Sequence, residues 1–432
     1  MNTFPVGNDN TGAFPDFNAI NTGAPFDVSG TRFSPQYNVD QERQSASIRF
    51  RLGAELELEE KFRIGFRIGT GQNNSPVSSN QTLGSANGGQ GGNFSKYALW
   101  LDRAFVAYEP GDTFKFSIGR FDNPFFSTTT MWSEDIGFDG VALHLRPGTG
   151  DSFRPYITAG AFPIFNSDFD FSSNQPMKFE SIDKWLYAAQ IGADLKITKD
   201  LKVKMGVAYY QFNRIEGELS DPYTPLAPDD SGNTDETRPA FAQKGNTYRP
   251  IRNIVPSVIN DFGTSSQFQY FGLATPFKIV TATGRVDYDG FDPVQISVLG
   301  EYAKNTAFDR EAIEAIAVNN RGPNGEDGSP GRFDGHDTAW YMNLRVGHPA
   351  LDRRGRWSAF AGYRFVGSDA VVDGFNDQNF GGGGTNVKGF TVGGSVAVSP
   401  NVWFGARWFS ADEIAGPPLK SDILMLDFTA KF

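Results

Sequence analysis

Charged side chains at alternate positions are the residues of this sequence that could act on a solute. In IRFRLGAELEL, residues 48–58, apolar residues alternate with Arg49 and Arg51, and after a short turn the alternation continues with Arg63 and Arg67. Burying a charge without a partner is very costly, so these four side chains must face water, lipid headgroups or carboxylates. Guanidinium groups facing carboxylates across water would create a field that orients polar solutes and excludes apolar ones.

The acidic counterpart lies in residues 119–140, GRFDNPFFSTTTMWSEDIGFDG. The hypothesis is that its carboxylates oppose arginines across a constriction. The candidate residues are Arg49, Arg51, Arg63, Arg67, Arg103, Arg120, Glu134, Asp135 and Asp139. Six basic residues take similar positions on other predicted strands: Lys202, Lys204, Arg285, Arg345, Arg364 and Arg407. The alternative is that arginines pair within the wall and only fill it, with Glu55, Glu57, Asp287 or Glu301.

Catalysis is not expected, so we do not predict an enzyme. The three histidines, His144, His336 and His348, fall on a strand, a loop tip and a turn, without a nucleophile motif. Cysteine is absent, and there is neither a P-loop nor Cys/His zinc spacing, so we predict no cofactor and no metal. Residues 319–337 have the composition of a calcium loop without its spacing, which favours a solvated turn. The net charge of −11 argues against nucleic-acid binding.

The elements that position these residues are β-strands, because apolar residues recur with a period of two. No uncharged apolar run reaches the roughly 18 residues of a membrane helix, whereas tilted strands cross a bilayer with about 9–11 residues. The predicted fold class is all-β, an antiparallel transmembrane β-barrel. The predicted strands are 48–58, 62–69, 98–109, 113–121, 139–147, 153–162, 184–197, 200–212, 278–288, 293–303, 337–347, 355–367, 387–398, 401–410 and 421–432. The strands at 98–109 and 387–398 are less regular, so their side-chain facing is not assigned.

The last twelve residues, SDILMLDFTAKF, carry the clearest alternation. Leu424, Leu426, Phe428 and Phe432 share one face, which is predicted to contact lipid. A strand that ends on its apolar face with an aromatic residue is typical of the closing strand of an outer-membrane barrel, because aromatic side chains favour the membrane interface.

The predicted connections alternate between short turns and long loops, as in a single outer-membrane barrel over residues 1–432. Residues 122–138 are predicted to be a constriction loop and residues 213–277 a long external loop. The long loops are acidic and the rest of the chain is mildly basic. This division suggests acidic external loops and a modest anion preference in the bore.

Fifteen predicted strands would leave both end strands running in the same direction. We therefore expect a 16-strand type whose first strand is missing or formed irregularly by residues 1–12. Residues 1–43 have the composition of an external loop, and residues 265–276 are strand-like and could change the count. Residues 1–30 show no signal peptide, so we expect that a leader has been removed.

Segments spread over most of the chain carry a family resemblance. They are SPVSSNQTLG (75–84), LDRAFVAYEP (101–110), SIGRFDNPF (117–125), WSED (132–135), DGVAL (139–143) and the terminal Phe432. In them the sequence resembles the putative porin family of Gram-negative outer membranes. The resemblance implies a general-porin-like, multi-pass outer-membrane barrel whose water-filled channel passes small hydrophilic solutes by passive diffusion.

The resemblance also implies a homotrimer, contacts with the lipid bilayer and lipopolysaccharide, and a loop at 122–138 that folds into the lumen. Two alternatives stay open. One is a substrate-specific channel gated by the long loop 213–277. The other is a non-conducting envelope barrel with a structural or adhesive role.

Overall fold

The regular secondary structure, seen in a computed structural model, consists almost entirely of antiparallel β-strands. It describes residues 43–432 except 73–74, 85–91, 149, 169–178, 228–229, 261, 263–267, 328 and 417–418. The strands are β1 (Ser47–Ile48), β2 (Arg51–Glu57), β3 (Phe62–Gly69), β4 (Gln81–Thr82), β5 (Trp100–Gly111), β6 (Phe114–Asp122), β7 (Gly137–Leu145), β8 (Phe153–Phe165), β9 (Lys184–Lys196), β10 (Leu201–Asn213), β11 (Tyr248–Pro250), β12 (Phe271–Leu273), β13 (Lys278–Phe291), β14 (Val294–Asn305), β15 (Thr338–Gly347), β16 (Trp357–Val366), β17 (Val387–Ser399), β18 (Val402–Glu413) and β19 (Lys420–Ala430). The described helices are the helix α1 (Arg310–Glu314) and the 3₁₀ turns Glu59–Lys61, Asp235–Thr237 and Phe380–Gly382.

In the described part of the chain, fifteen strands form one sheet in the order β19-β18-β17-β16-β15-β14-β13-β10-β9-β8-β7-β6-β5-β3-β2. Each predicted strand is confirmed to within three residues at either end. The strand-like residues 265–276 add no strand to this sheet, because β12 pairs with β11 instead. The irregular strand predicted for residues 1–12 lies outside the described residues, as does the predicted external loop 1–43 except Arg43.

The main sheet curls around the connection between β6 and β7. This connection, residues 123–136, is here called the inner segment. Its Asp135 pairs with Arg51 on β2, and its Thr128 binds Glu301 on β14. The neighbouring Thr129 binds Arg364 on β16. Strands about 4.8 Å apart would place β2 and β16 roughly 53 Å apart in a flat sheet, whereas the six residues from Thr129 to Asp135 span at most about 22 Å and the side chains and contacts at both ends add roughly 25 Å. The sheet is therefore curved, and the predicted barrel class is confirmed.

The outer face of the sheet is apolar at every second residue, as the pleat of a strand requires. On β19, Leu424, Leu426 and Phe428 are exposed by 68%, 76% and 64%. The alternating Ile423 and Met425 are partly buried and pack against the interior. The period of two in the sequence therefore separates an outward apolar surface from the inward side chains.

Aromatic rings on the outer face contact one another across strands at two levels. Near the long loops, the Tyr363 ring lies 5.3 Å from Trp340 and 4.7 Å from Phe390, measured between ring centroids. Near the short turns, Phe404 lies 5.0 Å from Phe428. Two aromatic levels that flank an apolar band are typical of membrane-spanning barrels.

Among the described residues, no helix has the length and apolar character needed to cross a membrane.

The long connections fold against one another. In the connection 213–277, Asn246 Nδ2 donates hydrogen bonds to the carbonyls of Ser368 and Val371, at 2.6 and 2.8 Å. The Asn246 carbonyl in turn accepts a hydrogen bond of 2.9 Å from Asn319 Nδ2, in the connection before β15. Three connections far apart in sequence therefore meet at the ends of the strands, and one of them reaches the site described next.

Candidate functional site

Glu301 on β14 anchors the inner segment to the wall. Its carboxylate accepts hydrogen bonds from the Thr128 backbone N–H at 2.9 Å and from the Thr128 hydroxyl at 2.7 Å. The Thr283 hydroxyl donates a third, at 2.8 Å. Glu301 is only 4% exposed. The three convergent donors satisfy the carboxyl oxygens of Glu301, which offsets the cost of burying this group and fixes the position of Thr128.

The apolar side chains of the inner segment pack against the part of the wall formed by β9 and β10. The Tyr210 ring lies 5.5 Å from Trp132 and 5.3 Å from Phe125, both measured between ring centroids. Gln190 fixes the backbone of Phe126 with two hydrogen bonds of 2.8 Å, one accepted from its N–H and one donated to its carbonyl. This side of the interior is therefore filled.

A second connection, residues 367–386 between β16 and β17, meets the inner segment and is here called the bridging loop. The Asp377 N–H donates a hydrogen bond of 3.0 Å to the Thr129 carbonyl. Arg364 lies between the two connections, with Nη1 2.9 Å from Asp377 Oδ2 and Nη2 3.1 Å from the Thr129 hydroxyl. The bridging loop also accepts the hydrogen bonds of Asn246 at Ser368 and Val371, so it links the inner segment to the connection 213–277.

Asp135 joins the inner segment to the start of the sheet. Its Oδ1 atom lies 2.6 Å from Arg51 Nη2 and 3.5 Å from Arg49 Nη1, and its Oδ2 atom accepts a hydrogen bond of 3.1 Å from the Ser79 N–H. Burial alone would raise the pKa of Asp135, but the two guanidinium groups and the Ser79 N–H hold it below its usual range. Asp135 is therefore ionised at neutral pH and fixes two of the predicted arginines.

An irregularity in β5 brings two consecutive residues, Asp102 and Arg103, to the interior. Arg103 pairs with Arg67 of β3, but the next pair along β3 is Ile68 with Leu101, so the register shifts at Asp102. Arg67 Nε lies 2.6 Å from Asp102 Oδ2. A bulge of this kind gives one strand an extra residue and breaks the alternation of faces, which is why the pattern of residues 98–109 is irregular.

Arg103 and Arg120 hold the ends of β6 and β7 that flank the inner segment. Arg103 Nε lies 2.7 Å from Asp122 Oδ1, and its Nη2 donates a hydrogen bond of 2.9 Å to the Ile136 carbonyl. Arg120 Nη1 lies 2.5 Å from Asp139 Oδ2. Arg103 is only 2% exposed. It therefore holds the segment in place and does not face open water.

Arg63 lies apart from this cluster. Its guanidinium is 3.3 Å from Glu55 and also pairs with Glu109. Asp287 pairs with Arg285 at 2.9 Å. Glu55 and Asp287 are carboxylates of the alternative interpretation, in which arginines pair within the wall, and that pairing accounts for Arg63 and Arg285.

A polar recess of about 490 Å³ lies beside the cluster. Arg51 and Arg67 line it from β2 and β3, Ser127 and Glu134 from the inner segment, and Tyr341 from β15. Among the six predicted arginines, the structure thus places two on the recess. Guanidinium, carboxylate and hydroxyl groups on its walls can all form hydrogen bonds with a polar solute.

The bridging loop contains a fully buried carboxylate, Asp369. It accepts hydrogen bonds from the Thr247 N–H at 2.8 Å, the Thr247 hydroxyl at 2.5 Å and the Ser368 hydroxyl at 2.7 Å. Burial raises the pKa of Asp369 from 3.8 to about 6. Because the pKa in the folded protein exceeds that in the unfolded chain, the packing is most stable below the unfolded pKa and weakens as pH rises through about 6.

We therefore expect the Thr247 amide to be less protected from hydrogen exchange at pH 8 than at pH 5, after correction for intrinsic exchange rates. The change between these pH values should be about tenfold, because the carboxyl of the unfolded chain is already mostly ionised at pH 5. Asp369→Asn should remove the pH dependence, whereas the control Asp427→Asn, at a carboxylate paired with Arg407, should retain it. Equal protection of the wild-type amide at both pH values would contradict the assignment.

Comparisons with known proteins give one family match and several distant structural similarities. A profile of the family described as putative porin matches residues 1–432. No protein in the curated set matches the chain significantly. The outer membrane channel DcaP of Acinetobacter baumannii is similar in structure, with 10% identity over 89% of this chain and 84% of its own, and a TM-score of 0.40.

Two further solved structures are similar at the same distant level. The loop L8 deletion mutant of OmpT, an outer membrane protein of Vibrio cholerae, has 11% identity over 90% of this chain and 93% of its own, with a TM-score of 0.42. Salmonella typhi OmpF has 10% identity with the same coverages and a TM-score of 0.40. The family match over the whole sequence is what identifies the chain. It belongs to the putative porin family and is a bacterial outer-membrane channel for passive diffusion.

Proposed function

We propose that the recess beside the inner segment is the narrowest part of the diffusion pathway and that it admits small hydrophilic solutes. The observation that carries this proposal is the fixed course of the inner segment across the interior, from Glu301 at one end to Arg51 at the other. A segment tied at both ends cannot swing out of the pathway. The polar lining of the recess then favours solutes that can exchange water for hydrogen bonds.

The charges around the inner segment balance. Five guanidinium groups face five carboxylates: Arg49, Arg51, Arg67, Arg103 and Arg120, with Asp102, Asp122, Glu134, Asp135 and Asp139. Four of the carboxylates lie within 3.5 Å of an arginine nitrogen. We therefore expect this part of the pathway to be strongly polar without favouring either sign of ion.

The test is the conductance of the purified protein in a planar bilayer. We expect large, ohmic steps that do not saturate with salt or with an added uncharged small solute. Small currents that one solute saturates would instead support the substrate-specific channel. A silent protein that is correctly folded would contradict a pore and support the structural or adhesive role.

A substrate-specific channel is the second candidate because the connection 213–277 reaches the inner segment through the bridging loop. Gln243 Nε2 donates a hydrogen bond of 2.6 Å to the Asp373 carbonyl, and Asn246 binds Ser368 and Val371. Movement of this connection would be transmitted to the recess. Liposome flux that saturates for one solute class and loses saturation in Asn246→Ala would support this candidate over general diffusion.

The proposed partners of the outer face are lipid, lipopolysaccharide and two further copies of the chain. Lys278 and Lys304 are exposed near the external ends of β13 and β14 and suit anionic headgroups. Leu56 and Phe66 are 57% and 47% exposed on β2 and β3, and either lipid or a second copy could cover them. The assembled mass in detergent, expected at three times that of the chain, tests the homotrimer.

A further inference from the structure

Two like charges stand directly opposite each other on the inner face of the sheet. Lys204 of β10 pairs in register with Arg285 of β13. Both side chains alternate with outward residues, so both point inward. Like charges placed opposite each other across strands are destabilising. A wall selected for stability alone would not combine them. The pair therefore indicates that positive charge at this place has a function, and the neighbouring charges show which one.

The basic surface extends on both sides of this pair. Arg146 and Lys204 share one carboxylate, Asp194, at 3.8 and 3.9 Å. Arg146 Nε also donates a hydrogen bond of 3.0 Å to His144 Nε2, so that ring nitrogen carries no proton. The two positive charges of Arg146 and Lys204 are therefore compensated by one negative charge, that of Asp194.

Arg345 of β15 is a further basic residue on the inner face beside this pair. It is half-buried, it lies opposite Ser297, and no carboxylate oxygen of the described residues lies within 4 Å of its guanidinium. Arg285 has Asp287 at 2.9 Å. The series Arg146, Lys204, Arg285 and Arg345 thus carries four positive charges against the two negative charges of Asp194 and Asp287.

We propose that Arg146, Lys204, Arg285 and Arg345 form an anion-binding arc on the inner wall, suited to small oxyanions such as carboxylates and phosphate. The inference rests on the proposed diffusion pore and adds a solute class to it. Planar guanidinium groups bind the two oxygens of such anions in parallel, and the arc offers three of them. A surplus of positive charge on a water-filled wall raises the local concentration of anions.

The arc adjoins the inner segment. The Lys204 ammonium lies 4.8 Å from the ring centroid of Phe126 in that segment and 5.5 Å from the ring of Tyr156. Arg146 and the register partners of Arg285 lie toward the short turns. An anion that has passed the balanced charges of the recess would therefore meet the arc next, on the side of the short turns.

The test is the reversal potential of single channels in a potassium chloride gradient. We expect the wild-type channel to favour chloride, and Arg345→Gln to lower the chloride-to-potassium permeability ratio by about two- to fivefold, the effect of one charge a few ångströms from an ion in water. Arg345→Lys should retain the preference. Arg407→Gln is the matched control, because Arg407 is an inward guanidinium neutralised by Asp427 at 2.8 Å, and it should change the ratio less.

Inorganic phosphate and malonate distinguish the anion class. Each is expected to reduce the chloride current of the wild type and to lose this effect in Arg345→Gln. If only one of them does so, the arc is specific for that oxyanion. Equal shifts in Arg345→Gln and Arg407→Gln, or a wild-type channel that favours potassium, would overturn the arc and leave the diffusion pore intact. A folded protein without conductance would overturn both.

Discussion

Glu301→Ala is expected to replace one steady conductance level with rapid transitions among several levels and a larger mean conductance. The substitution leaves the Thr128 N–H, the Thr128 hydroxyl and the Thr283 hydroxyl without their acceptor in a buried place. Each buried donor without a partner costs about 1–3 kcal/mol, so the attached position of the inner segment loses much of its advantage over detached ones. Single-channel recording in a planar bilayer measures the effect.

The control for this experiment is Glu57→Ala. Glu57 is an exposed carboxylate on β2, distant from the inner segment in sequence, and the control removes the same side chain from the same sheet. Glu301→Gln keeps one acceptor oxygen and should give an intermediate effect. If Glu301→Ala conducts as steadily as Glu57→Ala, the inner segment is not held by this carboxylate in the working channel.

The second large effect is expected from a thiol placed in the recess. The chain contains no cysteine, so a single introduced thiol is the only one that a methanethiosulfonate reagent can label. Ser127 lies on the recess and is only partly buried. Ser127→Cys should conduct like the wild type until a bulky, water-soluble reagent is added. It should then lose most of its conductance, because the label occupies a space of about 490 Å³.

Ser410→Cys provides the matched comparison. The substitution is the same, but Ser410 lies opposite Phe390 on the outer face of the sheet. The reagent should leave the current of this variant unchanged, and a reducing agent should restore the current of labelled Ser127→Cys. A labelled Ser127→Cys channel with full conductance would show that solutes pass elsewhere, even though the protein still forms a pore.

The strands could be predicted from sequence because pleating imposes a simple physical rule. A water-filled interior and an apolar exterior demand side chains of opposite character at successive positions, and β2 and β3 obey this along their whole length. On β19 only the outward face is regular, because the inward Ile423 and Met425 are apolar as well. The long connections follow no such period. Nothing in residues 213–277 indicates that Asn246 would lie buried between Ser368 and Val371, because that contact depends on chain far away in sequence.

The candidate site shows the same division: residues on regular strands can be predicted, whereas contacts made by the connections cannot. Arg51 and Asp135, which both belong to segments with strong patterns, lie 2.6 Å apart. Asp102 was missed because the bulge in β5 turns it inward against the alternation. For Glu301 the sequence suggests only a pairing with arginine in the wall. Its hydrogen bonds to Thr128 depend on the path of a connection, and no local pattern encodes that path.

The attachment of the inner segment also determines the order in which the channel can be built. Thr128 and Glu301 are 173 residues apart in the chain, and Thr129 and Arg364 are 235 apart. Contacts between such distant residues form late, because the intervening chain must be ordered first. The aperture therefore acquires its final width only after β14 and β16 are in place. A folding intermediate that contains only the first ten strands would therefore have part of the wall, but its inner segment would not yet be attached and its aperture would not yet be fixed.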